Sequence, residues 1–131
     1  MTDLAALLAD PATTIAVVGA TDNPGKYGYV IYRDLKTKGY NVYPVNKHRS
    51  SVGGDPAFPN LTALPVKPDI VDIVVPPDQT LKVLEEAVAL GLPRVWVQPG
   101  AEDDAVEEFL ADHDLEAVVN ACIMVRSRVS A

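Results

Sequence analysis

Three kinds of side chain in this sequence could do chemistry: a cluster of cations, a lone thiol and a run of carboxylates. Lys26, Arg33, Lys36, Lys38, Lys47 and Arg49 share the stretch 26–49 with a single acid, Asp34. That stretch carries +5 in a chain whose formal net charge is −7. Residues 1–66 hold six basic and five acidic side chains, and residues 67–131 hold five and thirteen. A local cationic excess is either a solvated face or a site for a small anion. The global acid excess argues against nucleic acid and against an anionic membrane surface. Cys122 is the only cysteine, which excludes an internal disulfide and a Cys-rich zinc site. A nucleophilic thiol needs a base beside it. His48 and His113 are both distant in sequence, so Cys122 reads as a small buried or semi-buried thiol. Its place at a strand end leaves room for a redox role with a thiol ligand. The carboxylates from Glu102 to Asp114 read as a solvated helix face. No metal-ligand spacing is present.

The elements that must position these groups alternate between strand and helix. The chain has 131 residues, the size of one domain, read here as residues 1–131. Thr14–Gly19 is an apolar, β-branched run, as expected of a strand buried on both faces. Further strands are expected at Tyr40–Val45, Ile70–Val75, Arg94–Gln98 and Glu116–Val119. Ile123–Val125 could extend a strand. Helices are expected at Met1–Asp10, at Tyr27–Lys38 with Val30, Ile31, Leu35 and Tyr27 facing in, at Thr80–Leu90 with Asp78 as N-cap, and at Glu102–His113. Asn46–Leu64 reads as irregular. Trp96 and Phe109 read as core. This order predicts an α/β, doubly wound, mainly parallel sheet of five or six strands with helices on both faces. Such sheets bind ligands at the carboxyl ends of their strands. No apolar run is long enough for a membrane span, and no secretory signal is visible, so the cytoplasm is the expected compartment.

The residues after each strand are therefore the informative ones. Gly19-Ala20-Thr21 leads through a small-residue loop to Lys26 and a helix start. That geometry offers backbone N–H groups, a hydroxyl and a cation to a phosphate. The spacing fits neither a P-loop nor a GxGxxG fingerprint. After the second strand come Asn46 and Lys47. An NAD site usually has an acid there for the ribose hydroxyls. A lysine instead suits a phosphorylated ribose, as in NADP or a related nucleotide. Pro76 and Pro77 make a stiff turn that could wall an adenine or a flexible chain. Gln98, Pro99 and Gly100 close the fourth strand, where Gly100 could admit a ligand.

Taken together these segments resemble the small stand-alone CoA-binding domain proteins, the YccU-like family. The segments are Ile15–Thr21 with Asn23-Pro24, Gly39–Asn46, Asp69–Pro77, Val95–Gly100 and Cys122. The layout is also similar to the CoA-binding domain of the succinyl-CoA synthetase α-subunit. The resemblance implies a single Rossmann-like domain that binds coenzyme A. It places the diphosphate at Gly19, Ala20, Thr21 and Lys26. It places the 3′-phosphoadenosine near Val45, Asn46 and Lys47, with Pro76 and Pro77 along the adenine or pantetheine path. Gln98, Pro99 and Gly100 border the pantetheine arm. A synthetase subunit also needs a second domain with a phosphorylated His, for which this sequence has no room. The expected function is thus binding of CoA or an acyl-CoA by a non-catalytic sensor, carrier or accessory module. A mixed disulfide between Cys122 and the ligand thiol is a further expectation. The alternatives are a small NADP-dependent or thiol-redox enzyme and a dinucleotide-responsive regulatory subunit.

Overall fold

The computed structural model describes residues 4–127. Its elements in chain order are α1 (Leu4–Leu8), β1 (Thr14–Val18), α2 (Tyr27–Thr37), β2 (Asn41–Val45), β3 (Ser51–Val52), β4 (Asp55–Pro56), β5 (Ile70–Ile73), α3 (Pro77–Ala89), β6 (Arg94–Val97), α4 (Asp104–Asp112), β7 (Glu116–Val119) and α5 (Ile123–Arg126). Five strands form one parallel sheet in the order β2-β1-β5-β6-β7. The chain runs from β1 outward to β2, then crosses back to β5 on the other side of β1. That reversal opens a crevice above β1 and β5, where doubly wound sheets bind ligands.

The alternation along β1 builds both layers. Ile15 and Val17 pack under α2 with Ile31, Tyr32, Leu35 and Ile123. Ala16 and Val18 pack on the opposite face with Leu84, Ala87 and Val106 of α3 and α4. The sheet is therefore covered on both sides, as an all-parallel sheet requires. On α2 the buried positions are Gly28, Ile31, Tyr32 and Leu35, one stripe of a 3.6-residue helix. Burying each of the larger apolar side chains contributes about 1.5–3 kcal/mol. Trp96 is buried as expected, while Phe109 is half-buried and stacks on His113, with ring centroids 3.8 Å apart.

The fold departs from the sequence reading in five places. Tyr27 and Val30 do not face in: they are 72% and 43% exposed. The stripe on α2 starts at Gly28 because only a glycine fits where that turn meets the loop after β1. Ile123–Arg126 is a short helix, not a strand. Its start is fixed by the side chain just after β6: Gln98 Oε1 accepts from Ile123 N–H at 3.0 Å. The Asn46–Leu64 stretch is not wholly irregular, since β3 and β4 pair antiparallel within it. α3 begins at Pro77 rather than beyond Asp78, with Pro76 at the N-cap and Asp78 in the first turn. A proline is well placed there because the first helical N–H has no partner in any case. α4 begins at Asp104 and is capped by Asp103, whose carboxylate accepts from Val106 N–H at 2.9 Å. The expectation for the first helix falls partly outside the described residues, and Leu4–Leu8 is the helical part within them.

One core position was not singled out from sequence. Asp72 sits in the middle of β5, level with Val17 of β1 and Trp96 of β6. It is fully buried, and neither carboxylate oxygen has a hydrogen-bond partner. Burial pushes its pKa well above the usual carboxylate range, because the charged form loses its water. Alternation places it on the α2 side, one layer below Gly19, Val74 and Gln98.

Candidate functional site

The carboxyl ends of β1, β2, β5 and β6 surround one large cavity of about 1040 Å³. From β1 and its loop it takes Val18, Gly19, Thr21, Gly25 and Lys26. From the end of β2 it takes Val45, Asn46, Lys47 and His48. Val74, Val75, Pro76 and Pro77 form the floor after β5, and Gln98, Pro99, Gly100 and Ala101 continue it after β6. Cys122 closes one side. Thus eleven of the twelve residues expected at a ligand site from sequence come together here. Ala20 is the exception. It is fully buried and its carbonyl accepts from Asn46 Nδ2 at 2.9 Å, so it braces the end of β2 against the loop instead of lining the cavity.

The wall on the α2 side is backbone packed on backbone. Gly19 has φ of +104°, and a Cβ there would lie 2.4 Å from the Val74 carbonyl oxygen. A Cβ on Gly28 would lie 2.0 Å from the Gly19 carbonyl oxygen. Gly28 lets the first turn of α2 rest directly on the loop after β1, and Gly19 lets that loop close against the backbone after β5. Lys26 is the extended N-cap residue and makes no side-chain capping bond. Among the described residues, no acceptor takes the N–H groups of Tyr27 and Gly28. The loop holds itself: Thr21 Oγ1 accepts from Asn23 N–H (3.2 Å), and Asn23 Oδ1 accepts from Gly25 N–H (3.0 Å). Free N–H groups at a helix start, beside a lysine, suit an anionic oxygen.

The opposite wall was not legible in sequence. It consists of Gln79, Lys82, Val83 and Glu86 of α3 together with Pro59, Asn60 and Leu61. Segment 58–62 is strapped across at both ends. At β2, Phe58 N–H donates to Pro44 O (3.0 Å) and Asn46 N–H donates to Phe58 O (2.9 Å). At α3, the Glu86 carboxylate accepts from Leu61 N–H (3.1 Å), Thr62 N–H (3.1 Å) and Thr62 Oγ1–H (2.7 Å). Beyond it, the β3–β4 turn is held to α2 by Asp55, which takes the Tyr32 hydroxyl and Lys36 (2.6 Å). Lys36, and then Tyr32, keep the Asp55 carboxyl below its ordinary pKa. Burial, with Asp55 adding to it, raises the Tyr32 phenol above its own.

At the far end, Gln98 is 3% exposed. Its amide oxygen is taken by Ile123 N–H, which leaves Nε2 as the donor offered to the cavity. Cys122 is half-buried, and Trp96 Nε1–H fixes the preceding residue by donating to Ala121 O at 2.7 Å. The cationic side chains on the cavity are Lys26, Lys47 and Lys82, and none is within ion-pair distance of a carboxylate among the described residues. Arg49 is not in the lining and lies 3.8 Å from Asp22. The only acid in the lining is Glu86, already occupied by its three donors. The cavity is thus a cationic hollow in an acidic protein. Among the described residues no cluster of His, Cys, Asp and Glu could hold a metal ion, and no helix is long and apolar enough to cross a membrane.

Residues 13–128 match the model of the CoA binding domain family. The chain belongs to that family. It is 34% identical over 95 residues to the α-subunit of acetate–CoA ligase (ADP-forming) II of Pyrococcus furiosus, covering 72% of this chain and 21% of that subunit. The chain thus spans about a fifth of that relative. It is 27% identical over 116 residues to the uncharacterized protein YneT of Bacillus subtilis, covering 88% of this chain and 86% of that one. Among solved structures, a conserved hypothetical protein of Pyrococcus furiosus is similar with a TM-score of 0.83 at 41% identity, covering 86% of this chain and 97% of the other. A dinucleotide-forming acetyl-coenzyme A synthetase of Ca. Korarchaeum cryptofilum is similar with a TM-score of 0.77 at 28% identity, over 92% of this chain and 28% of that one. These similarities fit an α/β Rossmann-like CoA-binding domain, found both as a small protein and as part of a ligase.

Proposed function

We propose that this domain binds CoA or an acyl-CoA in the cavity above β1 and β5 and does no chemistry on it by itself. It would serve as a sensor, carrier or accessory module. The observation that carries the reading is the charge and shape of one continuous cavity. Its mouth has free helix N–H groups, Lys26 and Lys47. Its floor is proline-lined, and its far end has Gln98 Nε2 and a thiol. CoA has parts to match: a diphosphate, a phosphorylated ribose, an extended amide-bearing arm and a sulfur. In this reading Gly19, Thr21 and Lys26 hold the diphosphate. Val45, Asn46 and Lys47 hold the phosphorylated ribose. Pro76 and Pro77 line the adenine or the arm, and Gln98, Pro99 and Gly100 border the arm. Ala20 acts through the brace it gives Asn46.

The test is a thermal-shift panel of CoA, acetyl-CoA, NADP, NAD and ATP. A ligand at 100 times its Kd stabilises the fold by about 2.7 kcal/mol. CoA and acetyl-CoA are expected to raise the melting temperature most. Stabilisation by NADP without CoA would overturn the reading in favour of the dinucleotide enzyme. One observation favours a covalent extension: Cys122 lines the same cavity. Its thiolate could attack CoA disulfide, forming a protein–CoA disulfide and releasing one CoA thiolate. Intact mass under non-reducing conditions tests that step. An added mass of one CoA, lost on reduction, is the expected result.

A further inference from the structure

We infer that Lys82 of α3 and Lys47 form a two-lysine clamp on the 3′-phosphate of the bound nucleotide, with segment 58–62 between them. The inference rests on CoA being the ligand and assigns a specificity residue absent from the sequence reading. Three observations carry it. First, Lys82 lines the cavity from the wall opposite Lys26, and no carboxylate lies within ion-pair distance of it among the described residues. Three carboxylates, Asp78, Glu85 and Glu86, stand one helical turn from it; none pairs with it, and Glu86 is saturated by Leu61 and Thr62. An unpaired cation facing a shared cavity keeps its full field for a ligand.

Second, the strap fixes where Lys47 and Lys82 stand. One end is bonded to Pro44 and Asn46, directly before Lys47, and the other to Glu86, four residues after Lys82. The two lysines therefore flank the strap from its two anchor points. Third, the strap and α3 present Pro59, Leu61 and Val83 to the same space. An apolar slot with a cation at each side suits a nucleoside whose ribose carries a phosphate. The diphosphate is then left to Lys26 and the helix start on the other wall. Two separate cationic stations match a ligand with two separate phosphate groups. They also give a physical reason to prefer CoA over dephospho-CoA, which lacks one of them.

Calorimetric titration of CoA and dephospho-CoA tests this on the wild type, Lys82→Gln, Lys82→Arg and Lys67→Gln. Lys67 is exposed and outside the cavity, so its variant makes the same charge change elsewhere. Lys82→Gln is expected to weaken CoA about tenfold and dephospho-CoA less than about twofold, the scale of one charge-assisted contact. Lys82→Arg should keep the preference, and Lys67→Gln should leave both affinities unchanged. Equal loss of both ligands, no loss of either, or an equal effect of Lys67→Gln would overturn the clamp. So would wild-type protein that binds CoA and dephospho-CoA equally, while leaving CoA binding itself standing. Wild-type protein that binds neither would fail the CoA reading, and the clamp with it. A melting curve for Lys82→Gln matching that of Lys67→Gln separates a binding effect from a folding one.

Discussion

The wall of the cavity on the α2 side is made of backbone, whereas the wall on the α3 side is made of side chains. Gly28 brings α2 onto the Gly19 backbone with no side chain between them, and Gly19 brings its loop onto the Val74 backbone in the same way. Across the crevice, Glu86 reaches 25 residues back along the chain to hold Leu61 and 24 to hold Thr62. The first wall is rigid and generic, since N–H groups at a helix start accept any anionic oxygen. The second is adjustable, since each of its contacts is one substitution away from a different one. The comparison suggests that affinity resides in the α2 wall and discrimination in the β2 end, the strap and α3.

The largest expected effect tests the discriminating side. Lys47→Glu should weaken CoA by about a hundredfold, replacing an attraction at the 3′-phosphate by a repulsion. Dephospho-CoA should lose far less, and equal losses in a paired titration would reject the assignment of Lys47. Next comes the backbone wall. Gly28→Ala puts a Cβ where the Gly19 carbonyl stands, so helix and loop must separate. A destabilisation of about 1–3 kcal/mol is expected from such overpacking, read by denaturant unfolding, with CoA and dephospho-CoA weakened alike. A selective loss would break the contrast between the walls. Glu86→Gln should cost about 1 kcal/mol, because a neutral amide keeps one acceptor for three donors. Faster amide exchange at Leu61 and Thr62, without change at Gly28, is the expected signature.

Asp72 lies on the α2 side of the sheet, one layer below the cavity, and its expected effect is on stability. Its folded pKa is raised, so the folded state binds its proton more tightly than the unfolded state. The stability it allows is complete below the ordinary carboxylate pKa and falls as pH rises toward the folded value. Between those limits the slope is about 1.4 kcal/mol per pH unit. Asp72→Asn should therefore be more stable than wild type at neutral pH, by a margin that grows with pH across that window. Chemical denaturation at pH 5 and pH 7 checks the sign, and a margin that shrinks with pH would refute it. The smallest effect is expected at Cys122, where Cys122→Ser should change CoA affinity by less than about twofold, a thiol being a weak hydrogen-bonding group.

What could be read from sequence follows from locality. The buried run at β1, the Gly19 loop and the ends of β2, β5 and β6 each declare themselves within a few residues. Their alternation then sets where they meet. The doubly wound parallel sheet and most of the cavity floor were legible for that reason. Lys82 and Glu86 were not, because helix periodicity marks the buried face and is silent about which neighbour meets the rest. The strap reads as irregular because its bonds go to Pro44, Asn46 and Glu86 rather than to itself. Tyr27 was placed wrongly for a related reason. Its spacing matches the apolar stripe, but the close approach of Gly28 turns the helix so that Tyr27 stands at the cavity rim. Asp72 interrupts an apolar strand without breaking its pattern, so only burial without a partner marks it.

The chain has a single tryptophan, and its indole nitrogen is bonded to the carbonyl just before Cys122. It is 2% exposed, in the layer directly beneath Gln98. Movement of the thiol end of the cavity must therefore alter the surroundings of one chromophore and no other of its kind. The protein carries its own optical gauge of that end, readable by fluorescence without a label.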